Sequence, residues 1–340
     1  MRIGIVGFGF MGRMHFGCWT QMPDADAAVI CDANPDIVKS AHKHIGNIPG
    51  LPEHFDMSRV QFYTDFEAML ANETLDAVSI TVPTCLHADL SCQALRAGVN
   101  VLCEKPMALN VGQCRQMIEA AQQAGRRLMI AHCIRFWPAY ADTGDIVRSG
   151  RYGKVLAANF QRLTARPAWS SNNWLADARQ SGGMALDLHI HDTDYIHCLF
   201  GMPSGVRSRT ITSAGTAEHI KTDYLYDADM LISAEGSWLT SDSFGFRMNF
   251  EILLEKATIV YDCTRDPAYQ IYPKGGDPFR PAISQKDGYY HEIEYFSNWI
   301  AGKVSKEVIT MRQSMESVRI IEAEKESADS GKTVELYPLG

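Results

Sequence analysis

The first twelve residues constrain this chain more than any other stretch. An apolar run, Arg2-Ile3-Gly4-Ile5-Val6, passes without a spacer into Gly7-Phe8-Gly9-Phe10-Met11-Gly12, a G-x-G-x-x-G placed where a strand should end and a helix begin. In such a loop the first glycine allows the tight turn, the second lets backbone approach a pyrophosphate, and the third lets helix and strand pack closely. The helix that follows offers unpaired N–H groups and the positive end of its dipole to phosphates. Three glycines alone also suit an ordinary strand-to-helix turn. The next strand, at 27–31, separates the readings, because it ends at Asp32, about 20 residues beyond the last glycine, where a carboxylate accepts hydrogen bonds from a ribose diol. An acid there repels a 2'-phosphate, and Ala33-Asn34-Pro35 supplies no arginine to receive one, so NAD is expected rather than NADP.

Strand-like runs at 2–6, 27–31, 60–63, 77–82, 99–103 and 127–131 alternate with helical patterns at 87–97 and 111–124. This is the rhythm of an α/β, doubly wound parallel sheet of the Rossmann type. Asn110 is a good N-cap for the second of these helices, and Gly125 ends it. From about residue 133 the pattern changes to helices at 141–149 and 181–200, then strand-like runs at 225–234, 247–254 and 258–262. Helices return at 292–300 and 314–328, with apolar residues three and four apart. The expectation is an NAD-binding domain over 1–132 and an α+β substrate-binding and oligomerisation domain over 133–340, built on a mostly antiparallel sheet.

A chain of 340 residues is comfortable as two domains, and 46% hydrophobic with 21% charged residues is a globular balance. The formal net charge of -8 argues against a surface that neutralises phosphate backbone, so no nucleic-acid partner is expected. Nine cysteines lie singly along the chain, which suits a reducing cytosol better than a disulfide framework or a zinc site. The first residues read as a strand rather than a signal peptide, and no apolar run reaches bilayer length, so a soluble cytoplasmic protein without membrane contact is expected.

Ligands of open parallel sheets sit beyond the carboxyl ends of the strands. Four segments hold that position: the glycine loop, Asp32, Pro83-Thr84-Cys85-Leu86-His87, and Glu104-Lys105-Pro106. All should lie along one rim, with Lys105 near the reactive ring of the cofactor; a surface charge in a proline turn is the plainer alternative. His87 reads equally as a helix-start residue that satisfies backbone groups. In the second half, Asp187, His191 and Asp194 fall at i, i+4 and i+7 and would share one helical face. A solvated acidic stripe is one reading of that face. The apolar neighbours Met184, Leu186, Leu188 and Ile190 favour another, an oriented acid–base pair. His189 and His191 are two apart and converge poorly as metal ligands, so no metal is expected.

Taken together these segments resemble the Gfo/Idh/MocA family of oxidoreductases. The match runs from the glycine loop through Val82-Pro83-Thr84 to His87, Glu104-Lys105-Pro106, His132 to Arg135-Phe136, and Gly182-Gly183 to Asp187, His191 and Asp194. It closes with a pattern from Tyr290 through Glu294 and Phe296 to Ser327 and Gly331. The resemblance implies a Rossmann domain followed by a domain with a large open-faced sheet that pairs subunits into dimers or tetramers. It also implies that Lys105 is the catalytic lysine, that Asp187 and His191 are the Asp–His pair, and that Asp194 is a ligand for a substrate hydroxyl. Two positions depart from the family pattern: Trp174-Leu175 where many relatives have Trp-Arg, and Ser181 where the first glycine of the cluster usually stands. The expected reaction is hydride transfer between a nicotinamide and a carbinol carbon of a sugar, inositol or related polyol, with His191 as base, Asp187 orienting it, and Lys105 polarising the oxygen. The whole reading rests on Lys105 and the Asp–His pair meeting at one nicotinamide face. Rival readings are a redox-neutral glycosidase or epimerase that retains NAD, and a non-catalytic NAD-sensing regulator, which would need none of the three. Asn173, Trp174, His189, Tyr289 and Tyr290 are candidates for substrate specificity.

Overall fold

Short runs of valine, isoleucine and leucine that are buried on both faces build the first sheet. The computed structural model describes residues 1–38, 55–168, 170–213, 216–305 and 307–337. Its first part runs β1 (Arg2–Val6), α1 (Phe10–Trp19), β2 (Asp26–Cys31), β3 (Gln61–Tyr63), α2 (Phe66–Asn72), β4 (Ala77–Ile80), α3 (His87–Arg96), β5 (Asn100–Glu104), α4 (Val111–Ala124) and β6 (Leu128–Ala131). The strands pair in the order β3-β2-β1-β4-β5-β6, and every ladder is parallel. Strand order reverses at β1, which makes the crevice beyond the carboxyl ends of β1 and β4 the switch point of the sheet. As the sequence leads one to expect, Asn110 caps α4 by accepting from the Gln113 N–H, and Gly125 closes it in the left-handed region at φ 61°.

The second part contains α5 (Pro138–Ser149), β7 (Val155–Thr164), α6 (Ala178–Ser181), α7 (Ile190–Phe200), β8 (Gly205–Ser213), β9 (Thr216–Leu225), β10 (Leu231–Ser237), β11 (Phe246–Leu254), β12 (Ala257–Asp262) and β13 (Tyr269–Pro273). Then follow α8 (Gly288–Ile300), α9 (Met311–Ser330) and β14 (Val334–Glu335). The sheet order is β13-β12-β11-β7-β10-β9-β8-β14, antiparallel except for the β7–β10 pair. Two sequence expectations need correction. The run at 225–234 is the end of β9 and the start of β10, parted by a turn that carries Asp227 and Asp229. The helix expected over 181–200 is broken at Gly182 and Gly183, both at φ 79°, and contains a π turn over Ala185–His189 before α7.

Two compact units divide the chain. The first joins Met1–Cys133 with 170–174 and Gly288–Met315; the second joins Ile134–Ala168, Leu175–Asp287 and the chain from Glu316 onward. The boundary expected at 132/133 lies next to the first crossing, and the structure adds the return of 288–315. Aromatic packing explains that return. Phe296 of α8 meets Trp19 of α1 edge-on at 6.3 Å, and Arg127 lies 4.6 Å over the Trp299 ring. The Trp19 indole N–H, in turn, donates to Ser79 on β4 at 2.9 Å. No helix among the described residues is long and apolar enough to cross a membrane.

Candidate active site

In the first unit, the glycine loop is shaped by contacts that exclude side chains. A Cβ on Gly7, which has φ +86°, would lie 2.8 Å from the Thr81 carbonyl oxygen, and one on Gly12 would lie 2.0 Å from the Gly7 carbonyl. Gly9 differs: nothing stands within 4 Å of its Cβ direction, and as N-cap of α1 it provides no side-chain hydrogen bond to the helix start. Backbone is therefore open to a ligand where an anion would approach the helix dipole. Phe8 and Phe10 are buried, with Phe8 edge-on to Phe16 at 5.7 Å, while Met11 is partly exposed. Asp32 caps the arrangement. Its Oδ2 accepts from the Phe8 N–H at 2.7 Å and its Oδ1 from the Asn34 N–H at 2.8 Å.

No motif in the sequence marks Arg13, one residue past the last glycine. It is fully buried, its guanidinium 5.8 Å over the Phe8 ring and its Nε donating to the Phe8 carbonyl at 3.3 Å. Burial holds its pKa below the ordinary value, and the Asp32 charge offsets only part of that.

Further along the same rim, His87 is a staple. Its Nδ1 lies 2.8 Å from the Pro106 carbonyl and its Nε2 3.0 Å from the Val82 carbonyl, and the ring is 1% exposed. Burial lowers its pKa, against those carbonyls and the Glu104 charge. His87 therefore lies between the exit of β4 and the Lys105–Pro106 turn, a neutral ring donating to one of the two carbonyls, and both nitrogens face backbone rather than a cofactor, which corrects the expectation for it. Thr84 is buried and Pro83 half-buried. Glu104 is likewise turned inward rather than toward the rim. Its Oε2 accepts from the Lys105 N–H at 3.0 Å, and its Oε1 lies 3.1 Å from His15 Nε2. Burial alone would raise the Glu104 carboxyl, but the hydrogen bond and charge of His15, with the charge of Lys105, hold it below its ordinary value. Glu292 joins them: His15, Glu104 and Glu292 are buried and bring three ligand-type atoms within 4.8 Å of one another. Lys105 itself is half-buried, set on a turn whose backbone is fixed from two sides.

In the second unit, the segment from Gly183 to His197 is buried except at two residues, Asp187 and His191. The reason is that the other polar groups have partners inside. Asp194 forms a two-pronged ion pair with Arg135 at 2.8 and 2.7 Å and accepts from Ser317 Oγ at 2.9 Å. Both side chains of that pair are 1% exposed. Burial opposes the Arg135 charge, and Asp194 raises its pKa regardless. Asp192 pairs with Arg162 at 3.1 and 2.9 Å, and His189 Nε2 lies 3.2 Å from Glu324 Oε2. Of the three residues expected on one face, Asp187 and His191 share the accessible one; Asp194 does not and has no room for a substrate hydroxyl.

Comparisons with known proteins fit this geometry. The family model described as the NAD-binding Rossmann fold of the oxidoreductase family matches residues 1–132, and the model of the GFO/IDH/MocA C-terminal domain matches residues 140–260. This chain belongs to the Gfo/Idh/MocA oxidoreductases. Among its relatives, D-xylose 1-dehydrogenase (NADP(+)) 2 of Haloferax volcanii is 26% identical over 340 residues, covering 99% of this chain and 100% of the relative. D-apiose dehydrogenase of Paraburkholderia graminis is 30% identical over 220 residues, 64% of this chain and 55% of the relative, so the match spans about half of that protein. The crystal structure of levoglucosan dehydrogenase in complex with NADH and levoglucosan has the same fold, with a TM-score of 0.83 at 20% identity over 98% of this chain and 99% of that one.

The two departures from the family pattern have local explanations. Leu175 is 4% exposed, so the position is buried and uncharged in this chain. Ser181 uses its hydroxyl to brace the turn, donating to the Leu175 carbonyl at 2.9 Å and accepting from the Gly183 N–H at 3.0 Å. Of the specificity candidates, His189 and Tyr289 are buried, Trp174 and Tyr290 half-buried, and Asn173 exposed at φ 53°. The ion-pair assignment is checkable by stability. Arg135→Ala leaves a buried carboxylate unpaired and should lower the unfolding free energy by about 3–5 kcal/mol, read from the urea midpoint. A loss below about 1 kcal/mol would return Asp194 to the set of available ligands.

Proposed function

We propose that this oxidoreductase moves a hydride between NAD and a carbinol carbon of a sugar, inositol or related polyol. The observation that carries the reading is the burial pattern of the second unit: in a segment otherwise packed away, an aspartate and a histidine one turn apart stay accessible. The glycine loop, the start of α1 and Asp32 would hold the cofactor, since open backbone at Gly9 meets the needs of a pyrophosphate and a carboxylate those of a ribose diol. NAD, when bound, supplies the hydride acceptor. His191 takes the proton of the substrate hydroxyl, Asp187 orients its ring, and Lys105 stabilises the negative charge that grows on the oxygen. The rigidity of the turn around Lys105 favours that role, because a preorganised cation needs no reorientation during the reaction.

NAD is preferred over NADP in this reading, since a carboxylate at Asp32 would repel a 2'-phosphate. The Haloferax relative is named for NADP, and the buried Arg13 offsets part of the Asp32 charge, so the preference is a matter of degree. A panel of aldoses, inositols and amino-sugar derivatives with either cofactor should give reduced nicotinamide fastest with NAD. Lys105→Ala should lower kcat/KM on the best substrate about 10²–10³-fold while NAD still binds. A folded Lys105→Ala protein as active as the parent would discard the assignment.

We also propose that the outer face of the second sheet pairs two copies of the chain, in a reducing, cytoplasmic setting that suits the free cysteines. Along one line of the ladders, Leu231 faces Ala157, Ala157 faces Leu253, Leu253 faces Thr258, and Thr258 faces Tyr272. Leu231 is 79% exposed, Leu253 39% and Tyr272 38%, an apolar stripe that water alone covers poorly. Light scattering should find a dimer or tetramer that Leu231→Asp shifts toward monomer. A monomeric parent would end this part of the proposal.

A further inference from the structure

We infer that Glu324 and His189 are positioning residues for His191, an assignment that rests on the reading of His191 as the base. The π turn over Ala185–His189 is an unusual geometry that the helix does not favour by itself, so something outside must hold it. His189 sits at the end of that turn, fully buried. Because residues two apart do not share a helical face, its ring points away from Asp187 and His191, toward the sheet and α9.

The pocket around that ring is built in detail. Nε2 of His189 lies 3.2 Å from Glu324 Oε2 and 3.3 Å from the Tyr224 hydroxyl. Thr193 donates to Glu324 Oε1 at 3.2 Å and lies 2.8 Å from the same tyrosine hydroxyl. Burial pushes the Tyr224 phenol well up, so it stays neutral. Below the ring the sheet is thinned to a glycine: a Cβ on Gly236 would come within 3.0 Å of both His189 Cβ and Nδ1. Any larger residue there would tilt the imidazole.

Helix α9 extends this grip along the whole segment. Lys325 Nζ donates to the Gly182 carbonyl at 3.0 Å, Glu324 meets His189, Ser317 donates to Asp194 at 2.9 Å, and Glu316 lies 3.3 Å from His197. His191 stands between two of these anchors, at 189 and 194, and, two residues past His189, falls on the other helical face. A single helix thus fixes where the base points without touching the reacting atoms.

The test uses the full-length, NAD-loaded protein and the best substrate of the panel. Glu324→Ala should lower kcat about 10- to 100-fold while the substrate KM and NAD affinity stay near the parent values. Glu324→Gln, which keeps an acceptor for Thr193, should recover most of the loss and covers the case in which the alanine variant does not fold. In a His191→Asn background the same Glu324 change should add little further loss, the non-additivity of residues that act as one. Reduced thermal stability with an unchanged kcat in the Gln and Ala variants, or full additivity with His191→Asn, would overturn the positioning role. A His191→Asn protein as active as the parent would instead defeat the base assignment, and the inference would fall with it.

Discussion

Charge cannot stay buried without a partner, and much of the second unit is arranged around that constraint. The segment after Gly183 carries Asp187, His189, His191, Asp192, Asp194 and His197 within three turns. Left to water, so many ionisable groups would make an exposed helix. Four of them are instead drawn inward beside Glu324, Arg162, Arg135 and Glu316, and a partner offsets part of the several kcal/mol that burying a charge costs. What stays half-exposed after this sorting is an aspartate and a histidine, Asp187 and His191.

The first unit solves a related problem with backbone. Its glycine loop offers N–H groups rather than side chains, and the buried Glu104 carboxylate beside Lys105 is answered by His15 and by the Lys105 amide. His87 closes the other side of the same turn. Lysine is a flexible point charge, and a fixed turn beneath it limits how far that charge can wander.

Local features were legible in the sequence, and long-range ones were not. Gly7, Gly12 and Asp32 could be read directly because each obeys a backbone or spacing rule that acts within one strand–helix unit. Asn110 and Gly125 were legible for the same reason. Asp194 leaves the face that a helical wheel assigns it because the wheel assumes regular α geometry, and the pull of Arg135 on it comes from 59 residues away. His15 and Glu104 are 89 residues apart, and nothing in either motif announces the other. The split of the run at 225–234 had a signal, since Asp227 and Asp229 are turn residues, but the flanking apolar residues masked it. The return of α8 to the first unit rests on Trp19 and Phe296, a contact that helical periodicity alone does not specify.

The central claim is that hydrogen leaves a carbinol carbon as hydride and arrives on the nicotinamide. It is tested most directly by supplying NAD and a substrate deuterated at that carbon, then locating the label by NMR and mass spectrometry. The account predicts one deuterium at C4 of the reduced nicotinamide for each turnover, with a slowed rate if transfer limits it. Label recovered in water, or product formed while NAD never carries deuterium, would contradict it.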